Sequence, residues 1–299
     1  MKTYEKLDEL PSGRASEHIT EGCAVLEGGA WRGLYTLGVI DRLMEKDINL
    51  QSVIGVSAGA LCGMNYVSGQ IGRAARINLS HRHDRNYVGI GALRRDRGVT
   101  GFSYLFHELN EEYPFDEERF FDQSRRFAAV ATDIESGEAE VFEKDDREAI
   151  YAAVQASATV PYVSLPVEIR GKKYLDGGLA VRIPVDWALH EGYQKILVVR
   201  TRDRNYRKTV HRPLHITDLE YRQYPNLKFD LEEQAARYNV LIEHLNMLEQ
   251  SGRIFVIAPS RPVTIRRFEG DMNALADIYW LGYQDALDHL EELKEYLEG

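Results

Sequence analysis

A chain of 299 residues with 44% hydrophobic content can bury a sizeable core, either as one large domain or as a domain with an extension. Its formal net charge of -10 disfavours a general nucleic-acid binder, which needs a basic face to neutralise phosphates. The two cysteines, Cys23 and Cys62, sit in apolar runs without metal or disulfide spacing and read as buried free thiols of a reducing compartment.

The charged opening MKTYEKLDELPSGRASEHITEG lacks the apolar centre of a secretory signal, and no later run approaches the roughly 18 apolar residues of a membrane span, so a cytoplasmic location is expected. The first predicted strand, CAVLE at residues 23–27, ends at Gly28-Gly29. It leads into WRGLYTLGVIDRLMEK, where Leu34, Leu37, Ile40, Leu43 and Met44 fall near helical spacing. SVIGV and the small-residue helix AGALCGMNYVSGQ repeat that unit, and two strand-helix units in succession predict a parallel sheet. Further strands are FAAVATDI, EAEVF, PVEIR, KILVVRT and RIFVIAP, with a helix REAIYAAVQAS between the second and third. From Phe229 to Gln250, Leu231, Ala235, Tyr238, Ile242 and Leu245 make an amphipathic stripe that reads as a core-facing cover, and a last helix is expected over residues 272–297.

Three glycine-rich turns carry candidate chemistry. In GVSAG, Ser57 stands between Gly55 and Gly59 at a strand-turn-helix junction. A serine hydroxyl does not ionise at neutral pH, so a nucleophilic serine needs exposure on a sharp turn and a base within reach. The plainer alternative is a βα turn with Ser57 as helix cap, and the segment alone leaves both readings open. In EGGAWRG, one strand earlier, consecutive glycines suit a loop whose backbone N–H groups approach a developing oxyanion, with Arg32 bracing the loop or attracting anions. The spacing is not that of a dinucleotide or P-loop site. In YLDGGLAVRIP, Asp176 precedes Gly177 and Gly178; in isolation this is a turn signal, but a carboxylate on such a turn can serve a serine as general base without a histidine.

Taken together, G-G-x-x-R-G, G-x-S-x-G and D-G-G in this order resemble the patatin-like phospholipases, and ATDIESGEAEVF and ASATVPYVSLP resemble two further segments of that family. The similarity covers roughly residues 22–200. The resemblance implies an α/β fold, a three-layer α/β/α patatin-like architecture with a mostly parallel central sheet plus C-terminal helices. It also implies a serine acyl hydrolase that cleaves carboxylic ester bonds of lipids or phospholipids. On that basis Ser57 is the nucleophile and Asp176 its dyad partner, and Gly28, Gly29 and Ala30 form the oxyanion hole. Arg32 holds the family's basic position, and Gly33, Gly55, Gly59, Gly177 and Gly178 support the motifs. One departure concerns Ala30, which stands where family members commonly carry a third glycine; the hole survives that change if residue 30 does not need positive φ. Trp31 either walls the acyl pocket or belongs to the core. The expected organisation is an N-terminal extension at 1–21, a catalytic core at 22–200 and a helical extension at 201–299 that returns one strand near 253–258.

Two rival readings stand beside this one. A Ser-Asp-His triad could use one of His190, His211, His215, His244 or His289, all of which follow Asp176; a non-catalytic lipid-binding module could occupy the same scaffold. No metal cluster is visible in the sequence, and the dyad chemistry calls for no cofactor. Residues 71–107 carry Arg73, Arg76, Arg82, Arg85, Arg94, Arg95 and Arg97 among apolar stretches. They read either as a basic patch for an anionic membrane surface, making the protein peripheral, or as a solvated arginine-rich cap.

Overall fold

Apolar side chains that alternate along a buried strand need cover on both faces of the sheet, and that requirement shapes this chain. The computed structural model describes residues 2–209, 221–266 and 269–299. A short antiparallel ribbon, β1 (Gly13–Arg14) against β4 (Gln70–Ile71), fastens the N-terminal segment to the body. The other eight strands are β2 (Thr20–Leu26), β3 (Leu50–Val56), β5 (Arg126–Asp133), β6 (Ala139–Glu143), β7 (Val167–Ile169), β8 (Lys172–Asp176), β9 (Ile196–Val199) and β10 (Phe255–Ile257). They form one sheet in the order β10-β9-β2-β3-β5-β8-β7, with β6 pairing along β5. The five strands from β10 to β5 are mutually parallel, whereas β6, β7 and β8 pair antiparallel.

Alternation divides the strands between two cores. Leu26, Val53 and Leu197 face one side, under α1 (Gly33–Glu45), α2 (Ala58–Val67), α3 (Arg73–His81) and α7 (Ile150–Ser157). Val25, Ile54 and Val198 face the other, under α8 (Val185–His190) and the long helix α9 (Pro225–Gln250), whose Tyr238, Ile242 and Leu245 are buried there. The result is the three-layer α/β/α arrangement that the resemblance implied. Between α3 and β5 lie α4 (Ile90–Asp96), a π-helical turn at Tyr104–Glu108, and the one-turn helices α5 (Leu109–Glu112) and α6 (Glu117–Phe120).

The C-terminal segment is woven into this body. β10 extends the parallel sheet beside β9, and α10 (Met272–Asp288) crosses α1 at backbone contact: a Cβ on Gly38 would lie 2.0 Å from the Tyr279 carbonyl oxygen, and one on Gly282 2.0 Å from that of Tyr35. Two buried pairs flank the crossing, Tyr35 Oη donating to Asp285 at 2.9 Å and Tyr279 Oη to Asp41 at 2.8 Å. Burial pushes the Asp41 carboxyl up to about 7, opposed by the Gly72 N–H and the Tyr279 hydroxyl. The sequence reading expected one helix over residues 272–297, but the chain breaks at His289 and resumes as α11 (Leu290–Glu298). The break turns Leu290 and Leu293 into the core. Among the described residues, no helix is long and apolar enough to cross a membrane.

Candidate active site

Sheet register explains how two residues 119 apart in sequence come to touch. Val56, the last residue of β3, pairs with Val130 of β5, and the next position along that edge, Ala131, pairs with Asp176 at the end of β8. β8 therefore takes over the edge of β5 where β3 stops, and Ser57 and Asp176 meet at the handover. Ser57 Oγ donates a hydrogen bond to Asp176 Oδ2 at 2.8 Å.

The Ser57 turn is a tight elbow. Its φ of 56° lies in the left-handed region, which costs a non-glycine residue roughly 1–2 kcal/mol and aims the side chain off the strand end. The elbow closes because helix α2 presses directly on the strands; a Cβ on Gly59 would lie 2.3 Å from the Leu26 carbonyl oxygen, and one on Gly55 2.5 Å from the Gly59 carbonyl carbon. Gly177 is constrained in the same way against the Val130 carbonyl, and Gly33 against Ala58. Gly178 donates its N–H to Asp176 Oδ1 at 2.8 Å, fixing the carboxylate.

The loop after β2 lies alongside. A Cβ on Gly28 would come within 3.0 Å of Ser57 Cβ, and one on Gly29 within 2.6 Å of Thr201 Oγ1. The Gly28 N–H points to the Arg182 carbonyl at 3.4 Å, while no hydrogen bond engages the N–H of Gly29 or Ala30 among the described residues. Ala30 has φ 49°, so the condition set from the sequence is not met: this position does take the left-handed conformation, and an alanine holds it. Arg32 sits beside Arg202, Arg182 and Glu27 with its Nε buried and without a hydrogen-bond partner among the described residues. Burial first, then Arg202, pull its guanidinium down to about 10, still a cation at neutral pH.

A sequence model of the patatin-like phospholipase family matches residues 24–189, more than half of the chain. The chain belongs to that family. A second model, a domain of unknown function (DUF6363), matches residues 224–298. Protein YjjU of Escherichia coli (strain K12), uncharacterised, is 26% identical over 182 residues, 59% of this chain and 51% of its own. A probable lipid hydrolase, 463L, of Invertebrate iridescent virus 6 is 26% identical over 216 residues, 62% of this chain and 72% of its own. An uncharacterised NTE family protein of Mycobacterium tuberculosis (strain ATCC 25618 / H37Rv) is 27% identical over 180 residues, 58% of this chain and 46% of its own. The matches thus span about half the length of the bacterial relatives. Among solved structures, VipD from Legionella pneumophila overlays with a TM-score of 0.49 at 16% identity, covering 97% of this chain and 69% of that one.

Within this patatin-like core, three residues that the sequence reading gave no role hold the site. Ser157 of α7 accepts the Ser57 N–H on its Oγ at 2.8 Å, and its carbonyl accepts the Gly177 N–H at 3.3 Å, so one buried residue ties the Ser57 and Asp176 turns together. Thr132 Oγ1 donates to the Asp176 carbonyl at 2.9 Å and accepts the Ala180 N–H at 3.2 Å. Glu27, buried, accepts the Thr201 N–H and the Tyr238 hydroxyl, joining the glycine loop to the strand end of β9. The segments ATDIESG and ASATVP that contain Thr132 and Ser157 had marked the places without indicating the contacts.

Of the candidate histidines, His190 ends α8 in an exposed position, His244 bonds Asp186 at 3.2 Å, and His289 bonds Glu292 at 3.0 Å. Ser57 bonds Asp176 directly, and none of these three stands between them; His211 and His215 lie outside the described residues. Among the described residues, no cluster of three or more His, Cys, Asp or Glu could hold a metal ion. Beside Ser57 opens a mainly apolar cavity of about 180 Å³. Trp31 both lines it and packs on the core, edge-on to Tyr87 with the Arg82 guanidinium 4.7 Å above its ring.

The arginine-rich segment does not form one patch. Arg73 is turned inward to that cavity, Arg76 grips the Leu10 and Pro11 carbonyls, and Arg82 is buried on Trp31. Arg85, Arg94, Arg95 and Arg97 stay exposed, Arg95 in a salt bridge with Glu108. Ile90 and Leu93 of α4 are 62% and 50% exposed among them.

Proposed function

We propose that the protein is a lipid acyl hydrolase, of phospholipase A or carboxylesterase type, that cleaves carboxylic esters through a Ser57-Asp176 dyad. The observation that carries this reading is the direct 2.8 Å bond from Ser57 Oγ to Asp176 on a left-handed elbow beside an apolar cavity. As Oγ attacks the ester carbonyl, Asp176 takes its proton. The carbonyl oxygen becomes an alkoxide facing the N–H groups of Gly29 and Ala30, with Gly28 joining if it releases the Arg182 carbonyl, and the Arg32 cation lowers the cost of that charge. Collapse expels the alcohol, which leaves with the proton from Asp176. Water, deprotonated by the same carboxylate, then attacks the acyl-enzyme and frees the acid and Ser57. No step calls on a cofactor.

In this reading residues 22–200 carry the chemistry, while 201–299 close the sheet and brace the glycine loop. Exposed Arg85, Arg94 and Arg97 with Ile90 and Leu93 support transient contact with an anionic lipid surface, so that the substrate is drawn from a membrane. The test is Ser57→Ala, assayed by p-nitrophenyl butyrate turnover and by thermal melting. Turnover should vanish with the melting point held within a few degrees; retained turnover contradicts the reading.

A further inference from the structure

The cavity beside Ser57 changes character along its length. Ala58, Leu61, Cys62 and Asn65 line it from α2, and their i, i+3, i+4, i+7 spacing means that one face of this helix forms a wall running away from the nucleophile. At 1.5 Å per residue, Asn65 lies about 10 Å along the axis from Ala58. Near Ser57 the opposite wall is apolar, made by Leu34 and Leu37 of α1. At the Asn65 end stands Arg73.

The contacts of Arg73 are all with neutral groups. Nη1 donates to Asn65 Oδ1 at 2.9 Å, Nε to the Tyr113 and Pro114 carbonyls at 2.9 and 3.3 Å, and Nη2 to Asn110 Oδ1 at 3.4 Å. A guanidinium has five N–H donors, and among the described residues these contacts use three. Burial draws the group down to about 10, so it remains a cation at neutral pH. The carboxylate at the cavity rim, Glu117, is exposed, accepts the Tyr151 hydroxyl at 2.8 Å and forms no ion pair with Arg73. A half-buried charge without a counter-ion is disfavoured unless something else supplies the opposite sign, and here only the Phe115 ring, 5.2 Å from the guanidinium carbon, does so in part. An all-apolar acyl chain offers this guanidinium no acceptor, whereas a terminal carboxylate would bring the opposite charge and two acceptor oxygens.

We infer that the cavity selects an acyl chain ending in a carboxylate, an ω-carboxyacyl ester of medium length, and that Arg73 is the residue that recognises its far end. At about 1.25 Å of advance per carbon–carbon bond, the roughly 10 Å of α2 between Ala58 and Asn65 corresponds to a chain of about eight to ten carbons. This inference rests on Ser57 being the nucleophile. It differs from a purely structural role, in which Arg73 only clamps residues 110–114 to α2.

The purified full chain should be given p-nitrophenyl monoesters of azelaic acid and of nonanoic acid, which share a nine-carbon chain and differ at its far end. The wild type is expected to favour the azelate ester by about 10-fold or more in kcat/KM, and Arg73→Gln to lose that preference, cleaving the two esters within about 3-fold of one another. Arg73→Lys should retain part of it. A wild type that prefers nonanoate overturns the inference, as does an Arg73→Gln protein that loses both activities equally. Binding is read separately, as the rise in melting temperature that free azelate gives over nonanoate in the wild type and not in Arg73→Gln. If neither ester is cleaved, the hydrolase reading fails, and this binding difference alone supports or overturns the carboxylate site.

Discussion

The turn at Ser57 and the arginine-rich segment of residues 71–107 are both dense in signal, yet only the first disclosed its arrangement in the sequence. At the elbow the demands fall on the backbone. Gly55 and Gly59 sit where helix and strand touch, and no other residue fits there, so spacing alone fixes the geometry. In the arginine segment the demands fall on long side chains whose partners come from elsewhere: Arg76 reaches back to Leu10, Arg82 forward to the Glu269 carbonyl, and Arg73 into the cavity under α2. Seven similar residues therefore have different fates, and composition averages over them.

Asp176→Asn should lower ester turnover by about 10³-fold or more, comparable to the loss of Ser57, because members of one catalytic unit are not additive. Thr132 and Ser157 hold the Asp176 loop through its backbone, independently of its charge, so the melting temperature should barely move. A large fall in stability without loss of turnover would make Asp176 a turn residue after all. Next in size is Ser157→Ala, which strands the buried Ser57 N–H. It should cost about 1–3 kcal/mol in urea unfolding and lower kcat more than it raises KM.

A residue whose setting comes from distant neighbours gives the next test. Asp41 is held up to about 7 against an ordinary 3.8, so the folded state binds its proton more tightly than the unfolded chain does. Its contribution is complete below about pH 4 and is lost as pH rises toward 7, at up to about 1.4 kcal/mol per pH unit. Urea unfolding of Asp41→Asn against the wild type should show a flatter profile across that window. Parallel profiles would mean that Asp41 titrates normally.

On the surface, Arg94→Glu with Arg97→Glu should weaken activity on anionic vesicles, at about 1 kcal/mol per charge at low salt, and leave a soluble ester unaffected. Equal loss on both substrates would assign these arginines a structural role. The smallest effect is expected at Ala30→Gly, which relieves a left-handed alanine and should raise stability by at most about 1 kcal/mol, read by thermal melting, with turnover retained.

Much of the fold was legible because buried strands announce themselves by apolar runs bounded by glycine, and the strand-helix alternation dictates parallel pairing. Ser57, Asp176 and the glycine loop could be located because each stands on a sharp turn that its glycine spacing marks. Ser157 could not be assigned a role: its contacts with Ser57 and Gly177 exist only once α7 packs beside β5 and β8, and a serine in a small-residue helix has no local pattern to mark it. The break at His289 was hidden for a related reason, since the apolar period continues through it while the core it serves changes direction. The handover of the β5 edge from β3 to β8, which brings Ser57 and Asp176 together, is a property of strand lengths that no single segment carries.

The account turns on whether Asp176 alone activates Ser57, and fluorophosphonate labelling tests that most directly. The wild type should form one adduct, located on Ser57 by peptide mass, and Asp176→Asn should label at least about 10³-fold more slowly. Replacement of each of His190, His211, His215, His244 and His289 should leave the labelling rate unchanged. An adduct on another residue, undiminished labelling of Asp176→Asn, or a histidine whose loss stops the reaction would contradict the dyad.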